Sequence, residues 1–360
     1  MKTLLRLLIK SQHQRHPSGP AQTEKGMTLV ELLVGSIMAF LIITPMLGFV
    51  VDMLNTDRRE QVKSNTEQDI QAAADFIAQD LSQAIYIYDN NPATTSNATT
   101  TATGIPALVA GNFIPQNPDE TPILVFWKRQ LLKNSLPITR GIEPAACDTN
   151  PCNDTYVLSL VAYYKIREPN SNSFWCQPSG NRCPTRIVRY QIQDGVRNPY
   201  SADPAQRYYT GVTPAQRASS AFNQGNPTQA GFDISKPTEN VTIPNSFTNQ
   251  DVTPEVLVNY IDDSTPGPPV TPNECTTALG NPTTQTGTPI SETTLKITDT
   301  INNINSFYAC VDTARNVARV TIRGNSLRRL QPNNADYEAK KSAFFPTVSV
   351  QVQGRGARGE

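Results

Sequence analysis

Lys25-Gly26-Met27-Thr28-Leu29-Val30-Glu31 leads directly into an apolar run over residues 32–51 that contains no Asp, Glu, Lys, Arg or His. About 20 such residues in a helix suffice to cross a hydrocarbon core of about 30 Å. One membrane span is therefore predicted, with Glu31 just inside its start. A charge costs roughly 2.5–3.5 kcal/mol at the bilayer centre and less near the interface, so this carboxylate is expected to have a partner and a function.

Charge placement sets the orientation. Lys2, Arg6, Lys10, Arg15 and Lys25 precede the run with only Glu24 opposing them, and the first basic residues after it are Arg58 and Arg59. The positive-inside bias keeps the N-terminus cytoplasmic and exports the chain beyond the span. A secretory signal peptide is the alternative, but the run is longer than the roughly 7–15 apolar residues of such a signal, and no small-residue cleavage site comes after it.

Gly26, an uncharged residue, Thr28-Leu29-Val30-Glu31 and a long apolar helix together resemble the processing site of type IV pilins and pseudopilins. The resemblance implies a leader over residues 1–26, prepilin peptidase cleavage between Gly26 and Met27, and N-methylation of Met27. The chain departs from the usual pattern in two respects: methionine replaces the commoner phenylalanine after the cut, and the leader is long. The chemistry agrees with the resemblance. Glycine lets the backbone approach an enzyme closely, and Glu31 lies one helical turn from Met27 on the same face. An anion is also favoured in the first turn of a helix. The implied role of Glu31 is to pair with the Met27 amine of a neighbouring subunit during assembly. The implied partners are prepilin peptidase, other pilins or pseudopilins and an inner-membrane assembly platform.

Pro45 lies inside the span, where it removes an intrahelical hydrogen bond and is expected to kink the helix. Gly35 and Gly48 lack GxxxG spacing and mark no helix-pairing seam. The organisation read here is a leader over 1–26, a filament-core span over 27–54, an amphipathic continuation over 55–88 and an exported β-rich domain over 89–360. In the continuation Val62, Ile70, Ala73, Ala74, Ile77, Leu81, Ala84, Ile85 and Tyr88 recur at threes and fours as one apolar stripe. Gln68, Asp69, Asp75, Gln79, Asp80 and Gln83 read as its wet face, with Asp75 and Asp80 solvated rather than an acid/base or metal pair. Residues 74–84 resemble the end of the long helix in minor pilins and pseudopilins of the W and J type.

Residues 90–103 match neither a helical nor a strand period and read as a connector. Strands are predicted at 123–128, 156–166, 186–193, 307–311, 318–323 and 347–353. A long helix succeeded by strands indicates an α+β fold, with the second half of the helix packed on an antiparallel sheet. Residues 195–300 are rich in Pro, Asn, Thr, Ser and Gln and form an irregular insertion, an elaborated loop or disorder, within which residues 256–261 have the pattern of one short strand.

All six cysteines, Cys147, Cys152, Cys176, Cys183, Cys275 and Cys310, lie beyond the span. An even count in an exported domain points to disulfides. Proximity favours Cys147 with Cys152 and Cys176 with Cys183, leaving Cys275 with Cys310. Zinc is the rival, but the spacings are not CxxC and no histidine lies downstream. His13 and His16, the only histidines, lie in the expected leader. A processed chain would have no imidazole for Ser-His-Asp or Cys-His catalysis. There is no Walker A pattern. Glu143, Asp148 and Asp154, the acids that could be imagined hydrolysing a glycoside, read as surface charge. Zero net charge lacks the basic stripe of a nucleic-acid binder.

The expectation is a non-enzymatic pilin-like subunit with no cofactor and no metal, held in the inner membrane and extracted into a cell-surface filament. The motif at residues 26–31, the helix end at 74–84 and the hydrophobic strand at 123–127 resemble cyanobacterial hormogonium polysaccharide secretion pseudopilins. That resemblance implies exported polysaccharide and gliding motility. The alternatives are a J-like pseudopilin of type II secretion and a single-span membrane-anchored adhesin or binding module.

Overall fold

A computed structural model describes residues 28–91, 104–110, 114–178, 180, 182–202, 208–219, 252–265, 267–269, 271–299 and 304–355. Gly26, Met27, most of the connector at 90–103 and residues 220–251 of the insertion lie outside the described residues. The chain divides into two units, Met1–Arg58 and Arg59–Glu360. One helix, α1 (Leu29–Ser82), crosses that division and is continuous through Pro45.

In the first unit nearly every apolar side chain of α1 is open, with Leu29 84%, Phe40 70% and Phe49 69% exposed. The two hydroxyl side chains within the apolar run bond to their own helix. Ser36 Oγ donates to the Leu33 carbonyl at 2.8 Å, and Thr44 Oγ1 to the Phe40 carbonyl at 2.8 Å. This leaves an apolar surface whose few polar groups are satisfied internally, as a helix in lipid requires. Among the described residues it is the one helix long and apolar enough to cross a membrane.

The second unit is α+β. Five antiparallel strands form a meander in chain order: β1 (Ala84–Ile87), β2 (Glu120–Pro137), β3 (Cys152–Arg167), β4 (Thr185–Gln193) and β5 (Glu255–Ile261). A second antiparallel meander runs β6 (Lys296–Asp299), β7 (Ile304–Asp312), β8 (Val317–Arg323) and β9 (Thr347–Gln353). An isolated bridge, Ile261 to Gly324, joins the end of β5 to the segment after β8. The expected single sheet is thus two sheets.

Both sheets and the second half of α1 share one core. Ile70, Ala73, Ala74, Ile77 and Leu81 of the helix stripe are buried with Phe126 and Trp127 of β2, Tyr163 of β3 and Phe307 of β7. Full burial of each large side chain is worth about 1.5–3 kcal/mol, so this stripe, rather than helix propensity, secures the helix end. Gly324 marks a close approach of the segment after β8 to α1: a Cβ there would lie 2.6 Å from Thr66 Cγ2.

Three expectations change. The helix ends at Ser82 rather than near residue 88, because Ala84-Ile85-Tyr86-Ile87 pairs with β2 through Tyr86 to Trp127 and Ile87 to Phe126. The β2–β3 hairpin extends well beyond the predicted residues 123–128 and 156–166. A register shift between Leu132 and Leu136 lets it continue past polar residues, with Asn134 in left-handed backbone at φ 46°. The insertion is also less irregular than its composition implies. Besides β5 and β6 it holds short helices at Glu274–Ala278 and Glu292–Leu295.

Candidate functional site

The start of α1 is built by a reciprocal cap. The Thr28 backbone N–H donates to Glu31 Oε2 at 3.1 Å and the Thr28 hydroxyl to the same oxygen at 3.2 Å. The Glu31 N–H in turn donates to Thr28 Oγ1 at 3.3 Å. This is the Thr-x-x-Glu box, in which two otherwise orphaned N–H groups at a helix start are satisfied. Glu31 is exposed. Its Oε2 takes both Thr28 donors, and its Oε1 accepts no hydrogen bond among the described residues. The carboxylate thus has a partner within its own chain and a second oxygen with no hydrogen bond among the described residues.

The other acid on α1 with a special environment is Asp80. Its residue type predicts the wet face, but it is buried, only 7% exposed. Its Oδ1 accepts from Lys128 Nζ of β2 at 2.7 Å. Its Oδ2 accepts from Arg189 Nε of β4 at 2.7 Å and from the Tyr163 hydroxyl of β3 at 2.7 Å. Four elements therefore converge on one carboxylate. Burial opposes its ionisation, but the Arg189 guanidinium and the Lys128 ammonium prevail and hold the carboxyl below the usual range. Burial first, and the adjacent Asp80 charge second, push the Tyr163 hydroxyl well above its ordinary value, so it stays a donor. Asp80 lies three residues after Ile77 and four before Ala84, which places it on the stripe rather than opposite it. Asp75, by contrast, is exposed, and among the described residues it accepts from Gln71 alone, at 3.0 Å.

The three disulfides are Cys147–Cys152, Cys176–Cys183 and Cys275–Cys310, with no free cysteine. The first closes the β2–β3 connection, the second the β3–β4 connection, and the third fixes the short helix Glu274–Ala278 to β7. Glu143, Asp148 and Asp154 are all exposed. Glu143 accepts the Gly211 N–H at 2.9 Å and Asp154 the Asn134 N–H at 2.8 Å, so both stabilise turns. Among the described residues no group of His, Cys, Asp and Glu could hold a metal ion.

No protein-family model, curated protein or solved structure matches the chain. An apolar helix of spanning length marks a membrane anchor. Three disulfides in the second unit belong to an oxidising compartment.

Proposed function

We propose that the chain is a pilin-like subunit that waits in the membrane as a single-span precursor and enters a filament after its leader is removed. Prepilin peptidase cuts between Gly26 and Met27, Met27 is methylated, and the disulfide-bearing domain stands on the exported side. In the assembled filament the Met27 amine of one copy meets Glu31 of the next, among other pilins or pseudopilins fed by an inner-membrane platform. The observation that carries this reading is the geometry of Glu31. Its Oε2 is anchored by Thr28, and its other oxygen carries no hydrogen bond among the described residues, which leaves the carboxylate at the edge of an apolar helix able to accept a cationic partner. Export of polysaccharide is the cargo this reading favours, and protein export by a J-like pseudopilin shares every step of it.

Glu31→Ala tests the reading. Leader removal should persist while recovery in sheared filaments falls at least tenfold; unchanged recovery would defeat it. The internal cap also supports a second reading, because Thr28 alone satisfies much of the carboxylate. A membrane-anchored binding module that never enters a filament needs no more than that, and it would be found uncut.

A further inference from the structure

β9 closes one side of the four-stranded sheet. An edge strand presents a row of unpaired N–H and C=O groups, a template for another strand unless something covers it. Each of the other sheet edges receives groups from elsewhere in the chain. On β1 the Ile87 carbonyl accepts Thr313 Oγ1 at 2.9 Å and the Ala84 carbonyl accepts Asn316 Nδ2 at 3.0 Å. On β5 the Tyr260 carbonyl accepts the Asn325 N–H at 2.7 Å, and Ile261 bridges to Gly324. On β6 the Lys296 carbonyl accepts Asn90 Nδ2 at 3.0 Å. β9 differs: among the described residues its backbone bonds only to β8. It also lacks the devices that blunt a bare edge. Residues 347–353 contain no proline and no charge, and the pairing with β8 runs from Thr347 to Gln353 without a bulge.

The bonds that bracket this ladder fix which groups point which way. The Gly324 N–H donates to the Pro346 carbonyl at 2.9 Å and the Gly354 N–H to the Asn316 carbonyl at 2.8 Å. Bonding direction alternates along an antiparallel strand. Val348, Val350 and Val352 therefore turn their N–H and C=O groups to β8, whereas Thr347, Ser349, Gln351 and Gln353 turn theirs to the open edge. The side chains divide in the same way: the three valines pack on the core and the other four are exposed.

A second β9 matches both alternations at once. With two copies antiparallel about Val350, Thr347 pairs with Gln353 and Ser349 with Gln351, each pair exchanging its backbone bonds. Val350 then meets its own copy and Val348 meets Val352. A one-residue slip would turn the open groups away and set valines against polar side chains, and a two-residue slip leaves an end unpaired. With no charge on it, the strand neither repels its copy nor selects a partner of opposite charge. We infer that β9 is a self-pairing edge that takes the β9 of a second copy of this chain, antiparallel about Val350, and joins two four-stranded sheets into one. One strand per copy is small beside the roughly 1,200–2,000 Å² of a standard interface. The pairing is accordingly reversible and depends on the membrane anchor to keep copies at high local concentration. It holds whether or not residues 1–26 are removed.

The test is disulfide trapping of the full-length protein in membranes, under mild oxidation and read on non-reducing gels. All native cysteines are paired, so an introduced one supplies the free thiol. Val350→Cys should give a linked homodimer, because opposed residues that exchange no backbone bonds lie about 4.5 Å apart, within disulfide reach. Val352→Cys, separated from its own copy by about 13 Å of strand, should give at least roughly fivefold less. Adding Gln351→Pro to Val350→Cys removes an outward N–H that an edge strand can lose; it should cut the dimer at least roughly fivefold at unchanged Tm. Gln351→Lys, which places a charge on the edge, should do the same and serves if the proline unfolds the domain. No dimer from Val350→Cys, equal dimer from Val350→Cys and Val352→Cys, an adduct with a protein of another mass, or undiminished linkage in a folded Gln351 variant would each overturn the inference.

Discussion

Glu31 and Asp80 sit on the same helix and handle the same charge in opposite ways. Glu31 is exposed, paired with one threonine of its own chain, and has one oxygen without a hydrogen bond among the described residues. Asp80 is buried and saturated by Lys128, Arg189 and Tyr163, drawn from three different strands. An acid enclosed by fixed cations and donors secures a fold, whereas one with a single local partner remains free to meet another molecule. The apolar side chains show the same division: open along the first half of α1, sealed against two sheets along the second.

The largest expected effect breaks the enclosed half of this comparison. Asp80→Asn leaves Lys128 and Arg189 buried without their carboxylate, and losing one partner of a buried ionic group costs about 3–5 kcal/mol. Chemical denaturation should show that loss, while Glu31→Gln should leave the stability of the same domain unchanged. The disulfides come next. In the chain-entropy account, the 35-residue separation of Cys275 and Cys310 is worth roughly 4 kcal/mol and the five-residue separation of Cys147 and Cys152 roughly 2 kcal/mol. Paired serine substitutions should therefore destabilise unequally, in that order.

A graded effect comes from pH. The Asp80 carboxyl titrates below its ordinary 3.8 in the folded chain, so its contribution is complete above the unfolded value and drains away as pH falls through the folded one. The stability gap between wild type and Asp80→Asn should accordingly close below about pH 4. A gap that stayed constant down to pH 2 would mean that ionisation of Asp80 is not what holds the cluster. The smallest effect is a control: Asp75→Asn, on the exposed face, should change stability by less than about 0.5 kcal/mol.

Much of the fold is legible from the residues. The predicted strand at residues 347–353 coincides with β9, and those at 186–193 and 318–323 differ from β4 and β8 by one residue at their starts. Alternating β-branched residues leave little choice there. The stripe from Ile70 to Leu81 is equally plain. The features that escape do so for physical reasons. Ala84-Ile85-Tyr86-Ile87 satisfies a helical stripe and a strand alike, and only pairing with Phe126 and Trp127 decides between them. Residue type sends Asp80 to water although its spacing from Ile77 and Ala84 puts it on the buried face; the partners that make burial tolerable, Lys128 and Arg189, lie far along the chain.

In the filament reading proposed above, Glu31 pairs with an amine that exists only once the leader has been removed. Intact-mass and N-terminal peptide spectrometry of the protein recovered from cells measures this most directly. The expected result is a mature chain beginning at N-methylated Met27, with residues 1–26 absent. Recovery of the functional protein with Gly26 still joined to Met27 would contradict it.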